Sequence, residues 1–350
     1  MIRMRAVQTV IPVTIILVLI LGGVWFIMLR MPGKRYQGPM PSLTEEQRLL
    51  REMLRKDVYK LADEIGDRNV RTNYENLCAA ADFIEASLQQ TGYKVDRQGY
   101  EVSLSGLQGR TCYNLEVEIT GSERSGEIVV IGGHYDSLED TPGANDNASG
   151  TAAVLALARA FAGKQTVRTL RFVTFVNEEP PYFQSKDMGS WVYVKRCRQR
   201  NENIIGMLSL ETIGYYSDEK WSQNYPVAPL GLVYPTAGNF VAFVGNIKSR
   251  KLVRDVVGLF RRYAEFPSEA AALPEMLVGV GWSDQWAFWQ GGYPGVMVTD
   301  TAPFRYPYYH TQEDTPDKID YDQLAYVVSA LEKVVAGLAG CKHETSRVNR

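Results

Sequence analysis

Apolar residues follow two spacings along most of this chain. Segments with apolar positions at helical spacing alternate with short, nearly continuous apolar runs. We predict helices near 42–65, 74–90, 150–161, 189–200, 248–264 and 321–338, and strands near 94–104, 114–119, 127–136, 170–176, 204–211, 240–244 and 295–299. A capping box, Ser42 with Glu45, is expected to start the first helix. Near-continuous apolar strands between helices favour an α/β domain with a mixed, mostly parallel sheet covered on both faces.

The N-terminus has a different pattern. Residues 10–28 read VIPVTIILVLILGGVWFIM, without a charge, and their length as a helix matches a bilayer core of about 30 Å. A cleavable signal peptide and a buried core helix are the alternatives, but no A-x-A-like site follows and amphipathic periodicity is absent. We therefore predict an uncleaved single-pass membrane anchor in residues 1–30, with the catalytic domain outside the cytoplasm. Basic residues flank both ends, so sidedness stays open.

The remaining boundaries follow from composition. Residues 31–41, MPGKRYQGPMP, have the Pro and Gly content of a linker, residues 42–340 form the predicted domain, and residues 341–350 are predicted to be a solvated tail. The formal net charge is −2, so nucleic acid is not an expected partner. The four cysteines form no CxxC pair and do not report the redox compartment. Only three histidines are present, which limits where imidazole chemistry can occur.

Acidic residues and histidines follow several predicted strands. In open α/β sheets ligands bind beyond the carboxyl ends of the strands, so these residues are candidates for one site. They are His134 and Asp136 after EIVVIGG, Glu178 and Glu179 after LRFVTFV, Glu211 after IIGMLSL, Asp146 in the turn GANDNASG, and His310 in a late aromatic loop. Imidazole and carboxylate groups in one cleft are the ligands that Zn²⁺ prefers. Several polar groups buried together without a cation would be costly, so we predict a metal site.

These motifs resemble a known family as an ordered set. GGHYDS, GANDNASG, NEE, LET, SDQWAFWQGGYP and YHTQEDT are similar to the motifs of the co-catalytic zinc aminopeptidases of metallopeptidase family M28, over roughly residues 45–340. The resemblance implies a zinc-exopeptidase fold of the phosphorylase/hydrolase type, with three α/β/α layers. It also implies two zinc ions. By resemblance, the first is held by His134, Asp146 and Glu211, and the second by Asp146, Glu179 and His310.

The resemblance also implies the catalytic roles. Glu178 would be the general base toward a metal-activated water. Asp136 would fix the tautomer of His134 as a supporting carboxylate. A strained peptide is expected after the bridging Asp146.

Two positions depart from the family pattern. Many relatives carry Asp where this chain has Glu211, and SDH where this chain has Ser283, Asp284 and Gln285, so a hydrogen bond on the substrate side is in doubt. The segment PPYFQSKDM is also longer than in simple aminopeptidases. We expect Asp284, Tyr182 and Phe183 at the substrate pocket, with a packing role as the alternative for the two aromatic residues.

Three functions remain open from the sequence. The first is a membrane-anchored zinc aminopeptidase that acts on peptides with a free N-terminus. The second is a glutaminyl cyclase, a transferase with similar motifs and one zinc, in which Glu178, Glu211 and Asp284 would form the acid network. The third is a non-catalytic binding ectodomain, which the complete set of candidate ligands disfavours.

Overall fold

The structure, a computed structural model, describes residues 22–23, 25–103, 107 and 109–341. Its centre is an eight-stranded sheet. The strands are β1 (Asp96–Glu101), β2 (Thr111–Ile119), β3 (Arg124–His134), β4 (Arg168–Phe175), β5 (Asn203–Glu211), β6 (Val241–Asn246), β7 (Ser268–Leu273) and β8 (Gly295–Thr299). The α-helices are α1 (Glu45–Tyr59), α2 (Tyr74–Gln89), α3 (Gly150–Phe161), α4 (Gly189–Gln199), α5 (Arg250–Tyr263), α6 (Gln285–Gln290) and α7 (Tyr321–Ala339).

The strand order is β1-β2-β4-β3-β5-β8-β6-β7. The four central strands β4, β3, β5 and β8 are parallel, as are β6 and β7, whereas β1, β2 and the β6–β8 pair are antiparallel. The parallel strands place their carboxyl ends at one edge of the sheet, where ligands bind in folds of this kind. The predicted mixed, mostly parallel sheet is confirmed.

Helices cover both faces of the sheet. Alternate residues of β3 enter different cores: Val129 and Ile131 pack with α1, α2, α3 and α7, while Ile128 and Val130 pack with α4 and α6. This period of two follows from strand geometry, and it explains why the central strands are apolar throughout. The domain therefore has the predicted three-layer α/β/α architecture.

Three local features differ from the sequence-based expectation. The capping box of α1 uses Thr44 and Gln47 instead of Ser42 and Glu45, with the Thr44 side chain accepting from the Gln47 amide. Strand β7 was not predicted, because its sequence SEAAAL lacks the β-branched and aromatic residues typical of strands. Helix α6 was also not predicted, because six residues are too few to show helical periodicity.

The predicted membrane span, residues 10–28, lies mostly outside the described residues. Its described end contains a π-helical turn at Trp25–Leu29, in which Trp25, Phe26 and Ile27 are exposed. Among the residues that the structure describes, we find no helix with the length and apolar character needed to cross a membrane. In the predicted tail, only Cys341 is described.

Candidate metal centre and active site

The first cluster of candidate ligands forms where β3 and β5 end. His134 is the last residue of β3 and Glu211 the last of β5, and the turn Ala144–Ser149 before α3 carries Asp146. The Nε2 atom of His134 lies 3.3 Å from Asp146 Oδ1 and 3.3 Å from Glu211 Oε2. All three side chains are buried, and one ligand atom from each lies within 4.8 Å of the others. One ion could contact all three.

A second cluster shares Asp146 with the first. The Nε2 atom of His310 lies 3.1 Å from Asp146 Oδ2 and 3.4 Å from Glu179 Oε2. Asp146 therefore presents one oxygen to each histidine. The structure brings together all five residues that the sequence predicted as ligands, in the two predicted groups of three.

The chemistry of these groups fits divalent cations. His134 Nε2 and Glu179 Oε1 are buried and have no hydrogen-bond partner in the described part of the chain. His134 Nδ1 lies 3.2 Å from the carbonyl oxygen of Asp136, which fixes the proton on Nδ1 and directs the lone pair of Nε2 toward the acids. A buried lone pair beside two carboxylates is costly unless a cation occupies the space between them. The donor set, nitrogen and carboxylate oxygen, is typical of zinc.

The pKa values of the acidic groups also indicate that too much negative charge is buried at this site. Burial raises the pKa of Glu178 and of Glu179 well above the usual range, and it also raises the pKa of Glu211. Burial tends to raise the pKa of Asp146 too, but its close contacts with His134 and His310 outweigh that effect and lower the pKa. Four carboxyl groups with two histidines cannot all ionise in this volume without further positive charge.

Glu178 lies beside the clusters without belonging to either. Its Oε2 is 3.9 Å from His134 Nε2. The residue is 7% exposed, so it is buried beside the two clusters. The amides of Glu178 and Glu179 donate to Asp136 Oδ1 and Oδ2, at 3.2 Å each. Asp136 therefore orients both glutamates through their backbone. Its oxygen Oδ1 is 3.5 Å from His134 Nδ1, so the predicted contact with the histidine is weaker than this backbone clamp.

Two further residues hold the Asp146 turn, and the sequence-based reasoning missed both. Asp314 accepts from the amides of Asn145 (2.8 Å) and Asp146 (3.1 Å) and from the hydroxyl of Tyr306. Arg68 is fully buried and donates to backbone carbonyls that include those of Tyr135 (2.6 Å) and Gly143 (2.8 Å). Asp314 lies in the quoted motif YHTQEDT, which was a usable signal. Arg68 lies in a loop whose sequence gives no such signal.

The peptide between Asp146 and Asn147, where the resemblance predicts an unusual conformation, is cis. Asn147 fixes this turn to the end of β5, because its side chain donates to Leu210 O (2.9 Å) and accepts from Thr212 N (3.1 Å). Ser283 donates to Glu211 Oε2 at 2.7 Å, which orients that carboxylate. The ring of Tyr309 stacks on His310 with centroids 3.8 Å apart. Each candidate ligand thus has a neighbour that limits its movement.

The three predicted pocket residues are placed differently. Asp284 is fully buried, and neither carboxylate oxygen has a partner in the described residues; burial raises its pKa to about 7. It cannot touch a substrate in this conformation. Tyr182 packs in the main core, so the alternative packing role applies to it, and Phe183 is partly exposed. Neither aromatic residue lines the cavity beside the metal clusters.

That cavity begins at Glu211 and Tyr309 and leaves a volume of about 100 Å³ for the centres of water-sized molecules. Its floor is one face of β5, β8, β6 and β7, and loops after β5, β7 and β8 form its walls. Apolar and aromatic residues dominate the lining, among them Leu230, Phe240, Val280 and Phe304. An apolar lining with a few polar groups is typical of sites that bind small molecules or side chains.

The comparison with known families decides what kind of protein this is. The profile of Peptidase family M28 matches residues 114–335, more than half of the chain, and this range contains all five candidate ligands. The chain belongs to peptidase family M28. The predicted family and the predicted enzyme class, a hydrolase acting on peptide bonds, are thereby confirmed.

This M28 chain is similar to several other proteins in sequence or in fold. It is 33% identical over 288 residues to the uncharacterized protein YfbL of Escherichia coli K12, covering 80% of this chain and 86% of that protein. In fold it is similar to BSAP, a zinc aminopeptidase from Bacillus subtilis, with a TM-score of 0.65, 15% identity and coverage of 82% and 95%. It is also similar to a glutaminyl cyclase from Porphyromonas gingivalis, with a TM-score of 0.61, 16% identity and coverage of 82% and 98%.

Proposed function

We propose that this M28 protein is a zinc-dependent aminopeptidase that hydrolyses the N-terminal residue from peptides. The observation that carries the proposal is the pair of overlapping clusters that share Asp146. His134, Asp146 and Glu211 would hold one zinc ion, and Asp146, Glu179 and His310 a second. When bound, zinc supplies Lewis acidity, which polarises a carbonyl group and acidifies water.

Glu178 is the residue best placed to move the proton. It belongs to neither cluster, its backbone is fixed by Asp136, and burial raises its pKa, so its carboxylate takes up a proton more readily than an exposed glutamate. Glu178 would accept the proton of the attacking water and pass it to the amine of the departing peptide. Asp136 would keep the carboxylate in place during both transfers.

The surroundings suit a substrate with a positive N-terminus and an apolar first residue. The free amine of the substrate would lie among the acidic groups of the cleft. The side chain of the substrate's first residue would enter the apolar cavity that begins at Glu211 and Tyr309. Peptides with free N-termini are therefore the proposed substrates. A blocked N-terminus would lose the ionic contact.

The role of Glu178 is tested by Glu178→Gln. The variant keeps the shape and both candidate metal clusters but cannot accept the proton, so we expect kcat on a leucyl anilide to fall by roughly 10²- to 10⁴-fold. Zinc content, measured by atomic emission, should stay near that of the wild type. Loss of zinc from Glu178→Gln would instead make Glu178 a ligand.

The shared role of Asp146 is tested by metal counting. The wild type should bind two zinc ions per chain, and Asp146→Ala should lose tight binding of both. The matched variants Glu211→Ala and Glu179→Ala should each weaken one ion much more than the other. A wild type that binds one ion only, or an Asp146→Ala variant that retains one tightly, would contradict the two-zinc site.

Glutaminyl cyclase activity is the second candidate. Asp284 lies buried where it interacts electrostatically with both Glu178 and Glu211, which provides the acid network that this activity would need. A peptide with N-terminal Gln separates the two activities, because a cyclase yields pyroglutamate and ammonia whereas an aminopeptidase yields free glutamine. Pyroglutamate together with one zinc per chain would favour the cyclase.

We further propose that residues 10–28 anchor the protein in a membrane, with the catalytic domain outside the cytoplasm. The anchor rests on the length and the uncharged apolar sequence of these residues. Because both flanks are basic, the orientation is left to experiment. Full-length protein should stay with membranes after alkaline carbonate extraction. Protease added to intact spheroplasts should digest the catalytic domain, whereas protection of that domain would place it inside.

A further inference from the structure

The cavity beside the metal clusters has an ion pair at its far end. Glu211, Thr299, Ala242 and Glu269 are direct cross-strand partners in β5, β8, β6 and β7, and all four line the cavity. Since neighbouring strands lie about 4.8 Å apart, the row spans roughly 14 Å. One end is the candidate ligand Glu211. The other is Glu269, which is buried and forms an ion pair with Arg35.

Arg35 belongs to a segment that begins in the last four residues of the predicted membrane span and continues beyond it. Residues 25–35, here called the N-terminal strap, lie along α5. Arg250 donates to Phe26 O (3.0 Å), and Arg254 donates to Arg30 O. Arg261 donates to Pro32 O at 3.0 Å. The strap therefore contacts successive turns of the helix before it reaches Glu269.

Two details show that the strap is fitted to the pocket wall. Leu29 packs against the cluster of Leu230, Ala271, Leu273 and Val280, all of which line the cavity from its far side. Gly33 has a φ of +75°, and a Cβ there would come within 3.0 Å of the Arg261 side chain. The turn Trp25–Leu29 of the strap also contacts β7, the strand at one edge of the sheet.

The charges at the far end do not cancel. Arg35 and Arg261 face Glu269, Arg261 at 4.0 Å from its Oε2, so the carboxylate that lines this end of the cavity is paired with two cations, neither of which lines the cavity itself. A neutral side chain that reaches this point meets no unpaired acid. An ammonium group meets a carboxylate whose charge is already offset by two cations, so it loses the attraction that an unpaired Glu269 would supply.

We propose that Arg35 is a specificity-determining residue: by neutralising Glu269 from outside the catalytic domain, it makes the pocket select long uncharged side chains over lysine at the substrate N-terminus. This rests on the proposed aminopeptidase function, because it assigns the cavity to the first side chain. An extended lysine or norleucine side chain is shorter than the row from Glu211 to Glu269, so with the carbonyl near the metal clusters its end would lie inside the cavity and interact with the ion pair over a distance. Shorter side chains would not sense Arg35.

A double-mutant cycle of Arg35 and Glu269 tests the proposal, with the full-length protein kept in detergent. Norleucine and lysine differ mainly at the end of the side chain, so the measured quantity is the ratio of kcat/KM for lysyl over norleucyl anilide at low salt. Removing one positive charge in Arg35→Met should raise this ratio roughly tenfold, and removing the negative charge in Glu269→Gln should lower it. The double variant restores the wild-type net charge and should return the ratio close to its original value.

Controls separate this role from a structural one. Arg254→Met removes a cation that binds the strap but, unlike Arg35, does not pair with Glu269, so its ratio should equal that of the wild type. Opposite shifts in the two single variants cannot come from loosened packing, which would lower activity on both substrates. An unchanged ratio in Arg35→Met, or equal shifts in both single variants, overturns the proposal.

A binding measurement tests the role of Arg35 independently of catalysis. Calorimetric affinities of norleucinamide and lysinamide should show the same reciprocal changes in selectivity across the four proteins. If the wild type cleaves neither anilide, the aminopeptidase function fails, while the amide affinities still test Arg35. If the anilides are cleaved and the affinity ratios do not move, the specificity role alone is refuted.

Discussion

Asp136→Asn offers a sharp test of how the site is held. The carboxylate is 2% exposed and accepts the amides of Glu178 and Glu179, one on each oxygen, at 3.2 Å. Asparagine has the same shape, but it has one acceptor oxygen and places an NH₂ group where the second amide points. One buried N–H then lacks an acceptor, and the negative charge that strengthened both bonds is gone.

The size of the effect follows from these contacts. A hydrogen bond to a charged group contributes about 1.5–3 kcal/mol, and an unsatisfied buried donor costs about 1–3 kcal/mol, so we expect the free energy of unfolding to fall by roughly 3 kcal/mol. The two glutamates would also move. A displacement near 1 Å at a reacting group costs on the order of 10²-fold in rate, and loss of a supporting contact weakens metal binding by roughly 10- to 100-fold.

The assay combines urea unfolding, zinc affinity and kcat on a leucyl anilide. Asp140→Asn is the matched control, because it makes the same chemical change at an exposed loop position and should alter stability by less than about 0.5 kcal/mol. An Asp136→Asn protein with wild-type stability and kcat would refute the clamp. Lower stability with unchanged kcat would show that Asp136 supports the fold without orienting Glu178.

Three further predictions address neighbouring features. Arg68→Met leaves several buried carbonyl oxygens without a donor, so urea unfolding should show a loss of roughly 3 kcal/mol or more, accompanied by weaker zinc binding. Tyr309→Ala removes the stack on His310 and should weaken one of the two zinc ions, measured by competition with a chelator, whereas Tyr309→Phe keeps the stack and should match the wild type. Burial raises the pKa of Asp300 to about 7, so the folded state keeps a proton that the unfolded chain releases above about pH 4; this stabilisation is complete at low pH and is lost as pH rises through 7. Asp300→Asn should therefore gain stability relative to the wild type between pH 4 and pH 8, by up to about 4 kcal/mol in unfolding titrations, and a pH-independent difference would contradict the assignment.

The candidate ligands could be predicted because their placement is a local property. His134 and Glu211 end apolar strands, Glu178 and Glu179 follow another strand directly, and Asp146 lies in a Gly- and Asn-rich turn, so each is marked by the segment that precedes it. The carboxyl ends of parallel strands meet at one edge, which brings such residues together in any fold of this class. The ordered motifs then identified the family.

Supporting residues were harder to predict, because their partners are distant in sequence. Arg68 binds carbonyls around Tyr135 and Gly143, and nothing in its own loop indicates that contact. Because of its position in a motif, Asp284 was expected to contact the substrate. The structure shows instead that Asp284 is fully buried. Motif membership reports that a residue is near the site, whereas burial depends on the packing of helix α6 and the neighbouring strands.

By itself, the sequence determined the α/β class, most helices and strands, and which side chains could bind metal, because hydrophobic periodicity and strand ends are encoded within short segments. Only the tertiary structure decided what the substrate cavity contains at its far end. Strand β7 has no recognisable strand pattern, and Arg35 meets Glu269 across 234 residues of chain. Contacts of that separation depend on how the whole sheet is ordered, and no local pattern carries that information.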